Sequence, residues 1–411
     1  MRTGIGLKIA LRYLFSKKTH NAVNIIAGVA VATTAIATMA IVIVLSVFNG
    51  FRDLAKSRFS KLDPPYKLIS VTSMPFDADS IISVLDDAGV KATALPVVST
   101  KAFVTSDHGR ALAEVKGVEK EWLEISGINN AIVSGVAFVG DTLGTQWAIA
   151  GLGIAHRLAF WPGSTNSVNI AVPRKNGRLN PGSLISAFRS SETNAAGVFG
   201  IDDTTTDNTV IFIGIDDARY LAGVANNQST AIDIFPLPGF KENALKRVAE
   251  EKGLAVKDLE QQNLQAFRMI NIEKWISFAL LAFILIIASF NIISTLTMLI
   301  IEKKSNMGVL KAMGLDTAGV RSVFIWEGIL LSTFGALAGC IVGTFLVLGQ
   351  QCFGWVKLSG DFDPGILSID AYPVALNGTD FLTVVTLVII LSFIVTLLSV
   401  TTIGYNKKGN G

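Results

Sequence analysis

Four long stretches of this chain are too apolar to be stable in water, and this constrains the fold more than any other feature. A helix crossing the hydrocarbon core of a bilayer needs about 20 consecutive, mostly apolar residues. Residues 22–48, 275–301 and 381–405 meet that requirement without a single charged side chain. Residues 322–356 carry one acid near their start, Glu327, and are otherwise apolar and rich in glycine. Composition agrees: of 411 residues 16% are charged and 50% hydrophobic, whereas soluble domains carry about a quarter charged residues.

The flanking cations orient these spans, because cytoplasmic loops collect Lys and Arg. Arg2, Lys8, Arg12, Lys17 and Lys18 precede the first span, Lys303, Lys304 and Lys311 join the second to the third, and Lys407 and Lys408 follow the fourth. The connection between the third and fourth holds only Lys357 among Asp361, Asp363, Asp370 and Asp380, as an exported loop should. The first span is expected to be retained, since it is longer than a signal-peptide core and lacks a small-residue cleavage site. Before it, Leu7, Leu11 and Leu14 share one helical face, which suits a helix lying in the cytoplasmic interface.

The expected organisation is an interfacial helix over 1–20, transmembrane helices over 21–49, 272–301, 321–356 and 381–405, and an exported domain over 50–271. A cytoplasmic connection over 302–320, an exported loop over 357–380 and a cytoplasmic tail over 406–411 complete it. The fold class is therefore integral membrane, four α-helices with a large mixed α/β domain inserted between the first and second. Within that domain residues 66–72, 168–172, 209–213 and 230–235 read as strands, and 78–89, 215–223 and 241–252 as helices.

Several chemistries are excluded. A net charge of +3, with no basic run interleaved with aromatics, does not make a nucleic-acid footprint. Cys340 and Cys352 lie in or beside the third span, so no disulfide framework or zinc spacing exists, and His20, His108 and His156 are scattered. No catalytic constellation, metal site or cofactor is expected in this chain. No phosphate-binding Gly-rich loop followed by Lys and Ser or Thr occurs, so energy for any work comes from a partner or an ion gradient.

Four features invite a mechanism. Gly335, Gly339 and Gly343 recur every four residues, a spacing that lets helix backbones approach closely, within one bundle or between two subunits. Glu327, one turn inside the cytoplasmic boundary near Arg321, is expected to snorkel or pair there, with a buried proton relay as the costlier alternative. The connection from Glu302 through Lys303, Lys304, Met307, Gly308, Leu310, Lys311 and Met313 to Gly314 reads as a short amphipathic helix with a Gly stop, either a docking surface or an ordinary connection. Pro173, Arg174, Asn176, Gly177, Arg178, Asn180 and Pro181 follow a strand and form a basic, turn-rich segment, either a solvated turn or an exposed hairpin tip with a role. The acidic, Thr-rich stretch 202–208 has no functional reading.

Three motifs then carry a resemblance: Ile9-Ala10-Leu11-Arg12-Tyr13-Leu14 before the first span, Leu45-Ser46-Val47-Phe48-Asn49-Gly50-Phe51 at its end, and the segment from Glu302 to Gly314. With Tyr372-Pro373-Val374 ahead of the last span, the whole chain resembles the lipoprotein-releasing permeases, LolC and LolE, of the MacB/FtsX-type ABC transporter superfamily. The resemblance implies a MacB-like architecture in a bacterial inner membrane with the large domain in the periplasm. It implies a permease paired with itself or a paralogue, and two copies of a LolD-like cytoplasmic ATPase that holds the ATP and Mg. It further implies acylated lipoproteins as cargo, taken from the outer leaflet and handed to a LolA-like periplasmic carrier. On this likeness the segment from Glu302 to Gly314 is the ATPase-coupling helix, and Pro173 to Pro181 stands where the carrier-binding hook stands. Val44, Phe48, Phe51, Trp275 and Phe278, at the outer ends of the first two spans, are candidates to line the lipid and cargo cavity. The readings that share this topology are a MacB-like mechanotransmission permease for efflux and an FtsX-like regulator of periplasmic hydrolases.

Overall fold

The structure is a computed structural model and describes residues 21–174, 187–201, 203–302, 316–357 and 371–405; the interfacial helix expected over 1–20 and the tail over 406–411 lie outside them. The chain divides into two compact units, one built on the long helices and one on Leu54–Phe267.

The long helices are Asn21–Phe59, Leu264–Glu302, Thr317–Phe353 and Gly378–Tyr405. Each contains a stretch long and apolar enough to cross a membrane, as the hydropathy pattern requires. The first runs ten residues beyond the expected boundary at 49, and the second begins at Leu264, ahead of 272. The reason is that apolarity marks the bilayer, whereas the helix itself needs only helix-forming residues. Between Phe51 and Leu62 there is neither Gly nor Pro, and Pro64 follows. The third helix opens on Asp316, whose carboxylate accepts from the Gly319 N–H at 2.8 Å. It closes on Gly354 in the left-handed region at φ 57°.

The third helix presses its small residues onto the first. A Cβ at Gly335 would come 2.8 Å from the Thr34 Cβ, and one at Gly339 would collide with the Ala35 carbonyl. Gly343 meets Val42, so all three glycines serve close packing inside one bundle. Around this seam Ile41, Leu45, Leu285, Ala336, Val384 and Val388 form the buried core. Replacing Gly339 by Leu would drive a branched side chain into backbone, so the expected result is loss of monodisperse protein on size exclusion in detergent. Normal yield of that variant would show that the two helices do not meet there. Glu327 does not snorkel: it is 3% exposed, buried in the bundle, while Arg321 stands in the open.

The second unit holds thirteen strands among the described residues: β1 (Tyr66–Ser70), β2 (Phe76–Asp77), β3 (Ala92–Ser106), β4 (Gly109–Val118), β5 (Ile132–Gly135), β6 (Gly140–Thr142) and β7 (Thr145–Gly151), then β8 (Val168–Pro173), β9 (Phe188–Phe199), β10 (Val210–Gly214), β11 (Gln228–Ser229), β12 (Ala231–Pro236) and β13 (Leu254–Asp258). The strands expected at 66–72, 168–172, 209–213 and 230–235 are β1, β8, β10 and β12. The three expected helices are Ala78–Asp87, Ile215–Ala222 and Glu242–Glu251. The main sheet runs β13-β1-β12-β3-β4-β10-β7-β9-β5. Because β8 pairs both β3 and β9, the strands β3, β4, β10, β7, β9 and β8 close a ring.

Small residues make that closure possible. Ala102, Ala111, Ala113, Ala148, Ala150 and Ala195 are buried there with Val104, Val115, Ile170 and Ile211, a filling suited to a narrow interior. The 15-residue strand β3 joins the two halves: its first part pairs β12 and its second part pairs β4 and β8. A second core gathers Phe59, Leu62, Trp122, Phe199, Phe212 and Phe267, so the end of the first long helix and the start of the second are packed into the domain's own interior. A third, around Leu68, Leu85, Ile232 and Leu245, packs the helices Ala78–Asp87 and Glu242–Glu251 on β1 and β12.

Candidate functional site

At the outer ends of the spans, the residues proposed to line a cavity fall into two aromatic pairs. Phe51 meets Tyr372 edge-on at 5.4 Å between ring centroids, and Trp275 meets Phe278 at 5.8 Å. Phe278 rests on the bundle core, whereas Trp275 is 69% exposed. Val44 and Phe48 are half-buried one turn further in.

Close to these residues along the chain lies a polar constellation that reading the sequence missed. Asn49 of the first helix donates to Asp380 Oδ2 of the fourth at 2.7 Å and accepts from Lys274 Nζ of the second at 2.9 Å. Lys274 closes the triangle on Asp380 at 3.1 Å. The available signal was three polar side chains at the ends of three apolar stretches, but Asp380 read simply as one acid of an exported loop and Lys274 was not singled out.

The segment expected to act as a hook rises from a strand pair. Val172 stands opposite Arg189 and Pro173 opposite Phe188, and the Arg174 N–H donates to the Ala187 carbonyl at 2.9 Å. Pro173 and Arg174 are exposed. Asn176, Gly177, Arg178, Asn180 and Pro181 lie outside the described residues, in the connection from β8 to β9. Beside its base, Phe103 of β3 touches Phe188 at 6.4 Å between ring centroids and stays half exposed.

The segment expected to couple to an ATPase connects the second and third helices. The second helix ends at Glu302 and the third begins at Thr317. Lys303, Lys304, Met307, Gly308, Leu310, Lys311, Met313 and Gly314 lie outside the described residues.

The domain's base carries a buried ionic network. Asp63, just past the first helix, accepts from Lys116 Nζ of β4 at 3.1 Å and from Asn263 Nδ2, just before the second helix, at 2.8 Å. Asp233 of β12 accepts from the Trp122 indole at 2.9 Å and lies 3.7 Å from Lys67 Nζ. Burial alone would raise the Asp63 carboxyl. The Lys116 ammonium, the more distant Lys67 and the two hydrogen bonds outweigh it and hold the group at about 2. Lys116 moves the other way: burial would lower it, but Asp63, then Glu114 and Asp233, push it above its ordinary value. Burial dominates at Asp233 and raises its carboxyl in spite of Lys67, Trp122 and Lys116. A cavity of about 430 Å³ opens nearby, lined by Lys56, Tyr66, Ile125, Phe235, Leu259 and Glu260 among others. The Lys56–Glu260 ion pair, at 2.7 Å, spans part of its rim. Among the described residues no group of three His, Cys, Asp or Glu side chains is placed to hold a metal ion.

Comparison with known proteins fits this geometry. Residues 278–406, which hold most of the second long helix and all of the third and fourth, match the FtsX-like permease C-terminal family. The lipoprotein-releasing system transmembrane protein LolC of Neisseria meningitidis is 26% identical over 352 residues, covering 82% of this chain and 81% of that protein. LolC of Haemophilus influenzae is 24% identical and covers 90% of each chain, and LolE of the same organism is 28% identical over 32% of each. Among solved structures, the periplasmic region of MacB from Actinobacillus actinomycetemcomitans aligns with 51% of this chain and 94% of its own at 9% identity and a TM-score of 0.34. Four apolar helices, the FtsX-like match over residues 278–406 and LolC relatives along most of the chain converge: the chain is similar to the LolC/LolE permeases of ABC transporters, and is a multi-pass inner-membrane protein with an α/β domain between its first two spans.

Proposed function

We propose that this chain is the permease subunit of an ATP-driven complex that draws acylated lipoproteins from the outer leaflet of the inner membrane and passes them to a periplasmic carrier. The observation that carries this reading is the likeness to LolC across 82–96% of the chain. It coincides with a paired strand couple, β8 and β9, at the base of the basic segment 173–181. The permease class supplies the membrane path, and a partner subunit hydrolyses ATP.

The physics calls for such a machine. Each buried methylene of a lipid anchor contributes about 0.8 kcal/mol to membrane affinity, so a protein with several acyl chains does not leave at a useful rate unaided. In this reading two LolD-like ATPases close on ATP and move the connection at 302–314. The permease pair, this chain with a LolE-like paralogue or a second copy, then squeezes acyl chains off the walls formed by Val44, Phe48, Phe51, Trp275 and Phe278. The basic hairpin receives the carrier, which is LolA-like.

Affinity purification of the chain in mild detergent, with identification of everything recovered, tests the reading. An ATPase together with triacylated lipoproteins supports extraction. An ATPase with only soluble periplasmic adaptors assigns the chain to efflux, and absence of any ATPase ends the transporter reading. At the hairpin, Arg174→Glu with Arg178→Glu should reduce capture of the carrier at least tenfold and leave ATP hydrolysis by the complex unchanged. Pull-down with the purified carrier measures it, and undiminished capture would remove the hook assignment.

A further inference from the structure

Two motifs singled out in the sequence, Asn49-Gly50-Phe51 and Tyr372-Pro373-Val374, meet in the helical unit. Gly50 lies against the backbone of Pro373 and Val374 so closely that any Cβ would overlap it. The Ala375 N–H donates to the Ser46 carbonyl at 2.8 Å, and the Tyr372 ring stands on Phe51. From the third helix, Gln351 Nε2 donates to the Val374 carbonyl at 2.8 Å and Gln350 Nε2 to that of Tyr372 at 3.2 Å. The stretch ahead of the fourth helix is thus strapped across the outer ends of the first and third. At its end stands Asp380, bound to Asn49 and Lys274.

We propose that the Asn49–Lys274–Asp380 triangle is a latch on the outer ends of the first, second and fourth spans, and that it opens in each transport cycle to let acyl chains in between them. The proposal rests on the lipoprotein-extraction reading above.

Three observations support it. Each member comes from a different span, so the triangle is a polar contact that ties the first, second and fourth helices to one another. The contact is polar and only partly buried: Asn49 is buried, whereas the side chains of Lys274 and Asp380 are 23% and 21% exposed. A partly exposed ion pair of this kind costs less to break than a fully buried one. The glycine seam between the first and third helices is the opposite case, backbone packed on backbone, with nothing that solvent can replace. The latch residues also sit beside the apolar walls, Asn49 between Phe48 and Phe51 and Lys274 next to Trp275, so parting the triangle parts the walls.

The test locks the latch in the assembled complex. In a chain carrying Cys340→Ala and Cys352→Ser, Asn49→Cys and Asp380→Cys are joined by a short bismaleimide or by oxidation. The complex is then reconstituted in lipid with a triacylated lipoprotein and purified carrier. The expected result is that the disulfide-locked complex releases less than a tenth of what its reduced form releases, and that dithiothreitol restores release. Equal release from locked and reduced forms, or failure of the two cysteines to join, overturns the latch. As a second measurement that keeps the native cysteines, Asp380→Asn is expected to raise ATP hydrolysis without cargo at least twofold, because the outer end no longer holds closed; unchanged hydrolysis counts against it. Wild-type complex in the same assay separates the two readings. If it releases no lipoprotein, extraction itself is wrong, whereas release by wild type and by the locked form alike refutes only the latch.

Discussion

Substituting Lys116 with Met is expected to destabilise the α/β domain by about 3–5 kcal/mol, the cost of stranding a buried charge. Lys116 Nζ is the cation on which Asp63 depends, at 3.1 Å, and both side chains are little exposed. Without it Asp63 keeps the Asn263 amide but loses the nearest charge that offsets its burial. The effect reaches beyond one strand, because Asp63 and Asn263 tie the chain entering the domain to the chain leaving it. For a unit of this size the loss lowers the thermal midpoint by roughly 10 °C. Trp122, whose indole donates to Asp233 in the same network, reports the transition by fluorescence. Removing both charges, Lys116→Met with Asp63→Asn, should recover more than half of the loss, since the penalty belongs to the unpaired ion. Equal midpoints for wild type and Lys116→Met would show that the pair is solvated.

The same network sets the acid response. A carboxyl whose folded value lies below its unfolded one adds stability above the unfolded value and loses it as pH falls through the folded value. For Asp63 the window runs from about 4 down to about 2. The shift corresponds to roughly 2 kcal/mol, lost across that window. Asp233, raised by burial, acts with the opposite sign: its ionisation in the folded state costs stability as pH rises past the usual carboxylate range. Asp63→Asn should therefore flatten the decline of the thermal midpoint below pH 4, and an unchanged slope would assign the decline to other carboxylates. On the alkaline side Lys116, raised in the folded state, contributes fully below its unfolded value of 10.5 and loses that contribution as pH rises through its higher folded value.

What the sequence disclosed follows from the range of the forces involved. The spans were legible because bilayer insertion depends on local apolarity, and β1, β8, β10 and β12 because each is a short run in which Val, Ile, Leu, Phe or Tyr recur. The hairpin of β3 and β4 was not, although its 15- and 10-residue strands are the longest neighbouring pair in the domain. Pro96 argues against a paired strand, and yet it stands opposite Ile232 of β12. The alanines of β4 and β9 carry little strand preference of their own and are there to fill a narrow ring. Glu327 deceived in a related way: a lone acid near a boundary suggests snorkelling, and only the tertiary packing shows that it is buried. The latch was hidden by separation, since Asn49 lies 225 residues from Lys274 and 331 from Asp380. Nothing in local pattern links such residues.

Placing Glu at Met307, Leu310 and Met313 together is expected to abolish coupling, with ATP-driven release falling to less than a tenth of wild type while the helical bundle stays folded. The three positions recur every third residue, so on a helix they share one face, with Lys303, Lys304 and Lys311 nearby. They lie in the connection from the second helix, which ends at Glu302, to the third, which begins at Thr317. A connection there is the shortest mechanical route from a cytoplasmic motor to two spans at once. If Met and Leu side chains enter an apolar groove on the ATPase, three carboxylates must each be desolvated or excluded. A combined penalty of only about 4 kcal/mol weakens docking a thousandfold. The spans themselves are untouched, because their packing rests on the glycine seam and the core around Ile41 and Val384. Reconstituted complexes assayed for both hydrolysis and release distinguish the outcomes, with size exclusion and circular dichroism as the check on folding. Hydrolysis without release establishes the segment as the coupling element. Normal release by the triple variant would mean that the motor grips the permease elsewhere, and the docking face would then have to be sought among the cationic residues ahead of the first span.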